Sequence, residues 1–168
     1  MTPLQAARNN AEWCAAMTRS HGQKSHFSSQ AWTVSSRAPL YYPDAVTLAP
    51  NADVTALLKQ IDTKTPGASV KDSFADLDLT PAGFQILFEA QWIHRSPGAA
   101  PKSNLAWTMV DTPTSLHEWA LAWPFVLDAT HQLFPGHPVL GYEHGDDLTA
   151  ALNHGFEPIG PLRVWLHH

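Results

Sequence analysis

Apolar positions recur along the chain at helical spacing in some stretches and at every second residue in others, and this divides it into helices and strands. Leu4, Ala7, Ala11, Cys14 and Thr18 fall on one face at helical spacing, flanked by Trp13 and Met17. Thr2 suits the cap of this first helix, Pro3 its first position and Gly22 its end. A Ser- and Pro-rich stretch over 23–44 passes into a short strand at Ala45 to Leu48. Val54, Leu57, Leu58 and Ile61 predict a second helix, with Asn51 or Asp53 as its cap, and "TKTPGAS" breaks it.

The clearest two-residue alternation follows. Phe84, Ile86, Phe88, Ala90 and Trp92 share one face of a strand and are expected to meet the core. Gln85, Leu87, Glu89, Gln91 and Ile93 share the other, a mixed face that turns to water or to a cleft. With "SVKD" ahead of it, the region reads as two strands joined by an acidic turn. Residues 96–104, rich in Pro and small residues, read as a linker between an N-terminal α/β part, 1–95, and a C-terminal part, 105–168. In the latter, "LAWTMV" predicts a strand. "DTPTSLHEWALAW" predicts a helix capped by Thr112, and a further helical piece spans 126–133. "HPVLGY" is a short strand. Asp146 and Asp147 open a helix with Leu148, Ala151 and Leu152 as its apolar stripe, and Gly155 closes it. Leu162, Val164 and Leu166 form one face of a final strand. Strands and helices interleave, so the expected fold is α+β or α/β: a mixed, largely antiparallel sheet flanked by helices.

The 168 residues suit one domain or two small ones, and seven Trp and seven Phe are more than a disordered chain carries. The net charge of −5, without a Lys/Arg cluster, argues against nucleic acid as a partner. No apolar run is long enough for a membrane span. Cys14 is the single cysteine, so no internal disulfide forms, and a cytoplasmic location is expected.

Two carboxylates are the candidate catalytic residues. Glu143 follows directly on "VLGY", where a strand end borders a ligand crevice in many folds. Glu89 is the best general-base candidate on the mixed face of the strongest strand. The plainer reading of Glu143 is a surface or helix-starting Glu, and that of Glu89 an exposed strand residue. "SVKDSFADLDL" places Ser73 beside Lys71 and Asp72, but it lacks a nucleophile motif and reads as a polar turn. His131, His137 and His144 are not at the spacing of a helical zinc pair. His144 with Asp146 and Asp147 reads as a helix start rather than a metal loop, so no metal is expected. Trp92, Trp107, Trp119, Trp123 and Trp165 are pocket or core material. The ridge "WALAWPF" is a candidate homodimer contact.

"GYEHGDDLTAALNHGFEPIGPLRVWL" resembles the C-terminal strand–helix–strand of GNAT-superfamily N-acetyltransferases, and "NNAEWCAAMTRSHG", "YPDAVTLAP" and "SVKDSFADLDLTPAGFQILFEAQWIHR" are similar to a bacterial group of GNAT-like proteins. The resemblance covers residues 9–95 and roughly 107–166. It implies acetyl transfer from acetyl-CoA to an amine, on a small molecule or on a protein N-terminus or lysine. The chain departs from the family at two places. It has no Arg/Gln-x-x-Gly-x-Gly/Ala loop for the CoA pyrophosphate, and Ala151 stands where the family commonly has the Tyr that protonates the leaving thiolate. The resemblance therefore implies a GNAT-like protein lacking the central CoA-binding segment: either an enzyme with a non-standard cofactor loop, or a non-catalytic remnant that serves as a binding or dimerisation module.

Overall fold

The computed structural model describes residues 1–98, 130 and 134–168. Two compact units divide the chain, one built from Met1–His94 and Leu140–His168, the other from Arg95–Val139. Of the second, the described part holds a turn in which the Phe134 amide donates to the Thr130 carbonyl at 2.9 Å and the His137 amide to that of Phe134 at 3.2 Å. The "LAWTMV" strand, the "DTPTSLHEWALAW" helix, all of the 126–133 piece but Thr130, His131, Trp107, the Trp119–Trp123 ridge and most of the 96–104 linker lie outside the described residues.

The first unit is α+β. Helix α1 (Pro3–Ser20) precedes strands β1 (Ser25–Phe27), β2 (Ala31–Val34) and β3 (Ala45–Thr47), then helix α2 (Val54–Leu58). Strand β4 (Ser69–Asp72), a single 3-10 turn (Thr80–Ala82) and strand β5 (Phe84–Arg95) come next. Strand β6 (Val139–Glu143), helix α3 (Gly145–Asn153) and strand β7 (Glu157–His167) finish the chain. The strands form a seven-stranded sheet in the order β1-β2-β3-β4-β7-β5-β6. Of the pairings β1–β2, β2–β3, β3–β4, β4–β7 and β5–β7, β3 with β4 alone is parallel, and α2 lies in that connection, as a parallel crossover requires.

α1 begins where its cap chemistry places it. The Thr2 hydroxyl accepts from the Gln5 amide at 3.3 Å, and the Gln5 side chain accepts from the Thr2 amide at 2.8 Å, a reciprocal capping box with Pro3 behind it. Its buried stripe is Ala6, Ala7, Ala11, Cys14, Ala15 and Thr18. Leu4, expected on that face, is 49% exposed, and Trp13 is 57% exposed. Small residues let the helix axis come close to the sheet, and the large side chains are turned outward. At the helix start the approach is closest: a Cβ on Gly160 of β7 would stand 2.8 Å from the Pro3 ring.

One core lies between α1 and the sheet, with Trp32, Val34, Val46, Trp92, Leu162 and Val164 facing the alanines. A second lies on the opposite face, where Leu57 and Ile61 pack on Ala45, Val70, Phe84 and Trp165. β7 is buried on both faces, with Leu162 and Val164 toward the first core and Trp165 toward the second.

Three expectations are corrected. The 23–44 stretch holds two strands, and all four residues of β2, "AWTV", are buried. β4 and β5 flank an acidic turn, yet they are not neighbours, because the closing strand β7 is inserted between them and pairs antiparallel with both. The alternation of β5 does not run unbroken. A register shift between Ile86 and Phe88 inserts an extra residue, so Phe84 packs in the second core whereas Phe88, Ala90 and Trp92 pack on the first. Ile86 and Leu87, at the irregularity, are exposed.

Candidate functional site

The first core contains a cation. Lys71, at the third position of β4, points into the alanine-lined face and is only 4% exposed. Its Nζ donates to Asn10 Oδ1 of α1 at 2.9 Å. The same nitrogen lies 4.0 Å from the ring centroid of Tyr142 on β6 and 6.0 Å from that of Trp92 on β5. No carboxylate pairs with it among the described residues. Burial pushes the Lys71 ammonium down to about 8, and the nearby Cys14 opposes this only in part. Cys14 shares the Asn10 acceptor, its Sγ standing 3.9 Å from Oδ1, and burial raises its thiol above the ordinary range.

Aromatic rings complete the cluster. Trp92 meets Tyr142 edge to face at 5.6 Å between centroids. Phe88 stacks with Tyr142 at 6.5 Å and with His144 at 5.3 Å. Trp92 is fixed from behind by its Nε1, which donates to the Ser73 carbonyl at 2.9 Å. Burial raises the Tyr142 phenol, with Cys14, Glu143 and Tyr42 adding to the effect. Tyr142 and Phe88 are half-buried and form the side of the cluster nearest the surface.

Glu143 follows Tyr142 at the end of β6. Burial raises its carboxyl above the ordinary value, Asp147 raises it further and His144 opposes. Glu89 is 62% exposed, and its Oε1 accepts from Arg163 Nε at 2.9 Å and Nη2 at 2.6 Å across the β5–β7 pair. No hydrogen bond or ion pair joins Glu89 to Glu143 among the described residues. His144 occupies the cap position of α3 without a side-chain hydrogen bond to the helix, and Asp146 and Asp147 lie in its first turn. Among the described residues, no group of three or more His, Cys, Asp or Glu is placed to hold a metal ion, and no helix is long and apolar enough to cross a membrane.

The acidic segment forms the expected turn. The Asp72 carboxylate accepts from the Leu77 amide at 3.0 Å, Asp76 from that of Asn51 at 2.9 Å and Asp78 from that of Thr80 at 3.0 Å. Lys71 is the residue that the turn reading missed. β4 is only four residues long, too short for its alternation to show that the lysine points inward. Elsewhere, an open cleft of about 820 Å³ lies against the second core, lined by Leu58, Lys59, Ile61 and Asp62 among others, and neither Glu89 nor Glu143 borders it.

Among the described residues no helix start fits the pyrophosphate of acetyl-CoA, which needs free backbone amides at a helix start and glycines that admit it. The first turn of α1 is occupied by its own capping box and by Pro3. α2 has five residues, and the Asp53 carboxylate sits on its Ala56 amide. α3 carries two aspartates in its first turn, and these repel an anion. Residues 99–133 contain no glycine. Comparison with protein-family models, with curated proteins and with solved structures finds no match to this chain.

Proposed function

We propose that this protein is a GNAT-like binding module: a chain that keeps part of the acetyltransferase fold without its acetyl-CoA site. Support for the kinship comes from the closing β6–α3–β7 segment, a strand–helix–strand whose last strand is inserted into the sheet. The observation that carries the loss of the cofactor site is the acidic first turn of α3, together with the self-capped starts of α1 and α2. The test is the melting temperature with and without millimolar acetyl-CoA. A ligand at about 100 times its dissociation constant stabilises by ~2.7 kcal/mol, a plainly visible shift. We expect none. A clear shift that ADP does not reproduce overturns this reading.

One observation favours a second reading, acetyl transfer to an amine. Glu143 has the raised proton affinity of a general base and stands at a strand end beside Tyr142 and His144. In that role it would accept the amine proton. CoA-thiol release with an amine substrate, abolished in Glu143→Gln, would establish it.

A further inference from the structure

The cleft against the second core has room and an open mouth, and none of the Lys71 cluster borders it. Its floor is apolar. Val54 and Leu58 of α2 and Ala82 of the 3-10 turn pack onto the second core and stay half-buried, with part of their surface turned to the cavity. Two segments of opposite charge flank this floor. α2 and the turn after it bring Lys59 and Lys64, and the approach to the 3-10 turn brings Asp78. Neither lysine forms an ion pair among the described residues. Asp78 Oδ1 accepts from the Thr80 amide at 3.0 Å, and its Oδ2 has no partner among the described residues. Asp62, the other charged lining residue, is already engaged. Its Oδ1 accepts from the Lys64 amide at 2.9 Å and its Oδ2 from the Thr65 hydroxyl at 2.7 Å. Arg37 Nη2 donates to the Asp62 carbonyl at 3.0 Å and to that of Thr65 at 2.7 Å, which pins the turn that carries Lys64.

We propose that this cleft binds a short apolar peptide with free ends. The peptide carboxylate meets Lys59 and Lys64, its ammonium meets Asp78, and its side chains cover the apolar floor. Charge decides the class. A purely anionic ligand would face Asp78 as well as the lysines, and a purely cationic one would face the lysines. A zwitterion gives each segment its complement. The floor excludes a small polar zwitterion, which would lose water there without recompense. Size decides the length. A cavity of this volume is roughly 9 Å across, and an extended chain advances about 3.3–3.6 Å per residue, so two or three residues fit. A single amino acid carries both charges on one carbon and reaches only one side. The Thr55 and Thr63 hydroxyls, also in the lining, offer hydrogen bonds to the peptide unit. The inference goes beyond the acetyl-CoA question and does not depend on it.

The experiment is a ¹H–¹⁵N NMR titration of the full chain with leucyl-leucine, beside its N-acetylated and its C-amidated forms. We expect shifts at the amides of Leu58, Lys59, Lys64 and Ala82, and an affinity for the free dipeptide roughly fivefold above that for either blocked form. Lys59→Gln combined with Lys64→Gln should abolish the preference for a free carboxylate and keep that for a free amine. Asp78→Asn, which retains an acceptor for the Thr80 amide, should do the reverse. All three positions are exposed, so urea midpoints close to that of the parent chain verify that the variants fold. Shifts scattered away from the cleft, no saturation by about 10 mM dipeptide, or equal affinity for free and blocked forms overturns the proposal.

Discussion

Lys71 and Tyr142 meet cation to ring, with the ammonium nitrogen 4.0 Å from the ring centroid, inside the core between α1 and the sheet. A tyrosine face offers negative potential in place of lost water, at an energy of about 2 kcal/mol when desolvated. That is less than the burial cost of the charge, and the contest between the two effects sets how this protein responds to pH and to substitution.

Lys71→Met should stabilise the protein near pH 7. The folded-state value of about 8 lies below the ordinary 10.5, so the unfolded chain binds more protons between them and stability rises as pH climbs through that window. The displacement corresponds to a penalty on the order of 3 kcal/mol when the amine is charged. Cys14 and Tyr142, whose protons are held above their ordinary values, act in the opposite direction at alkaline pH. Both remain in the variant, so the difference between the two proteins isolates the lysine. Urea unfolding should find Lys71→Met more stable by about 1–3 kcal/mol near pH 7, with the advantage shrinking toward pH 10. An advantage that grows with pH would contradict the assignment.

Tyr142→Leu should lower the Lys71 titration further, and Tyr142→Phe should leave it nearly unchanged, because the ring face and not the hydroxyl meets the ammonium. Side-chain NMR titration of the lysines reads this directly. Equal effects of the two variants would assign the interaction to the hydroxyl.

Asp44 should be among the costliest positions to truncate. Its buried carboxylate accepts from Arg37 Nη1 at 2.6 Å, from the Ala38 amide at 2.8 Å and from the Ser69 amide at 2.8 Å. These bonds tie the loop after β2 to the start of β4. Asp44→Ala leaves Arg37 Nη1 and the Ala38 and Ser69 amides without this acceptor, while Nη2 keeps its bonds to Asp62 and Thr65, at a cost of about 3–5 kcal/mol. The exposed Glu89–Arg163 pair makes the contrast, since Glu89→Gln should cost under about 1 kcal/mol. The two urea midpoints, measured side by side, decide the order.

Gly160→Ala should destabilise the protein through the docking of α1. The added methyl would lie 2.8 Å from Pro3 Cγ, a ring atom with little freedom to move aside. A loss of about 1–3 kcal/mol is expected, typical of overpacking. Pro3→Ala in the same background should recover part of it, and no recovery would place the strain elsewhere.

Local chemistry was legible in the sequence. The Thr2–Pro3 start of α1, the Asp53 cap of α2, the acidic opening and Gly155 closure of α3, and the alternation of β7 depend on neighbours within a few residues. Glu89 and Glu143 could be named from their strands. The Arg163 partner of the first, 74 residues away in sequence, and the burial of the second could not.

By itself, then, the sequence determined the start of α1, the places of α2 and α3, most of the longer strands and a mixed α-and-β fold, because periodicity and capping are short-range physics, but it left α+β and α/β both open and did not find β1 and β2. Tertiary structure alone decided that β7 separates β4 from β5, that a bulge moves the side chains of β5 from one core to the other, and that Lys71 faces inward beneath Asn10 and Tyr142. The reason is physical. A strand's partners, and which of its faces is buried, are fixed by the pairing of segments far apart in the chain, and a four-residue strand carries too few positions to encode that choice locally.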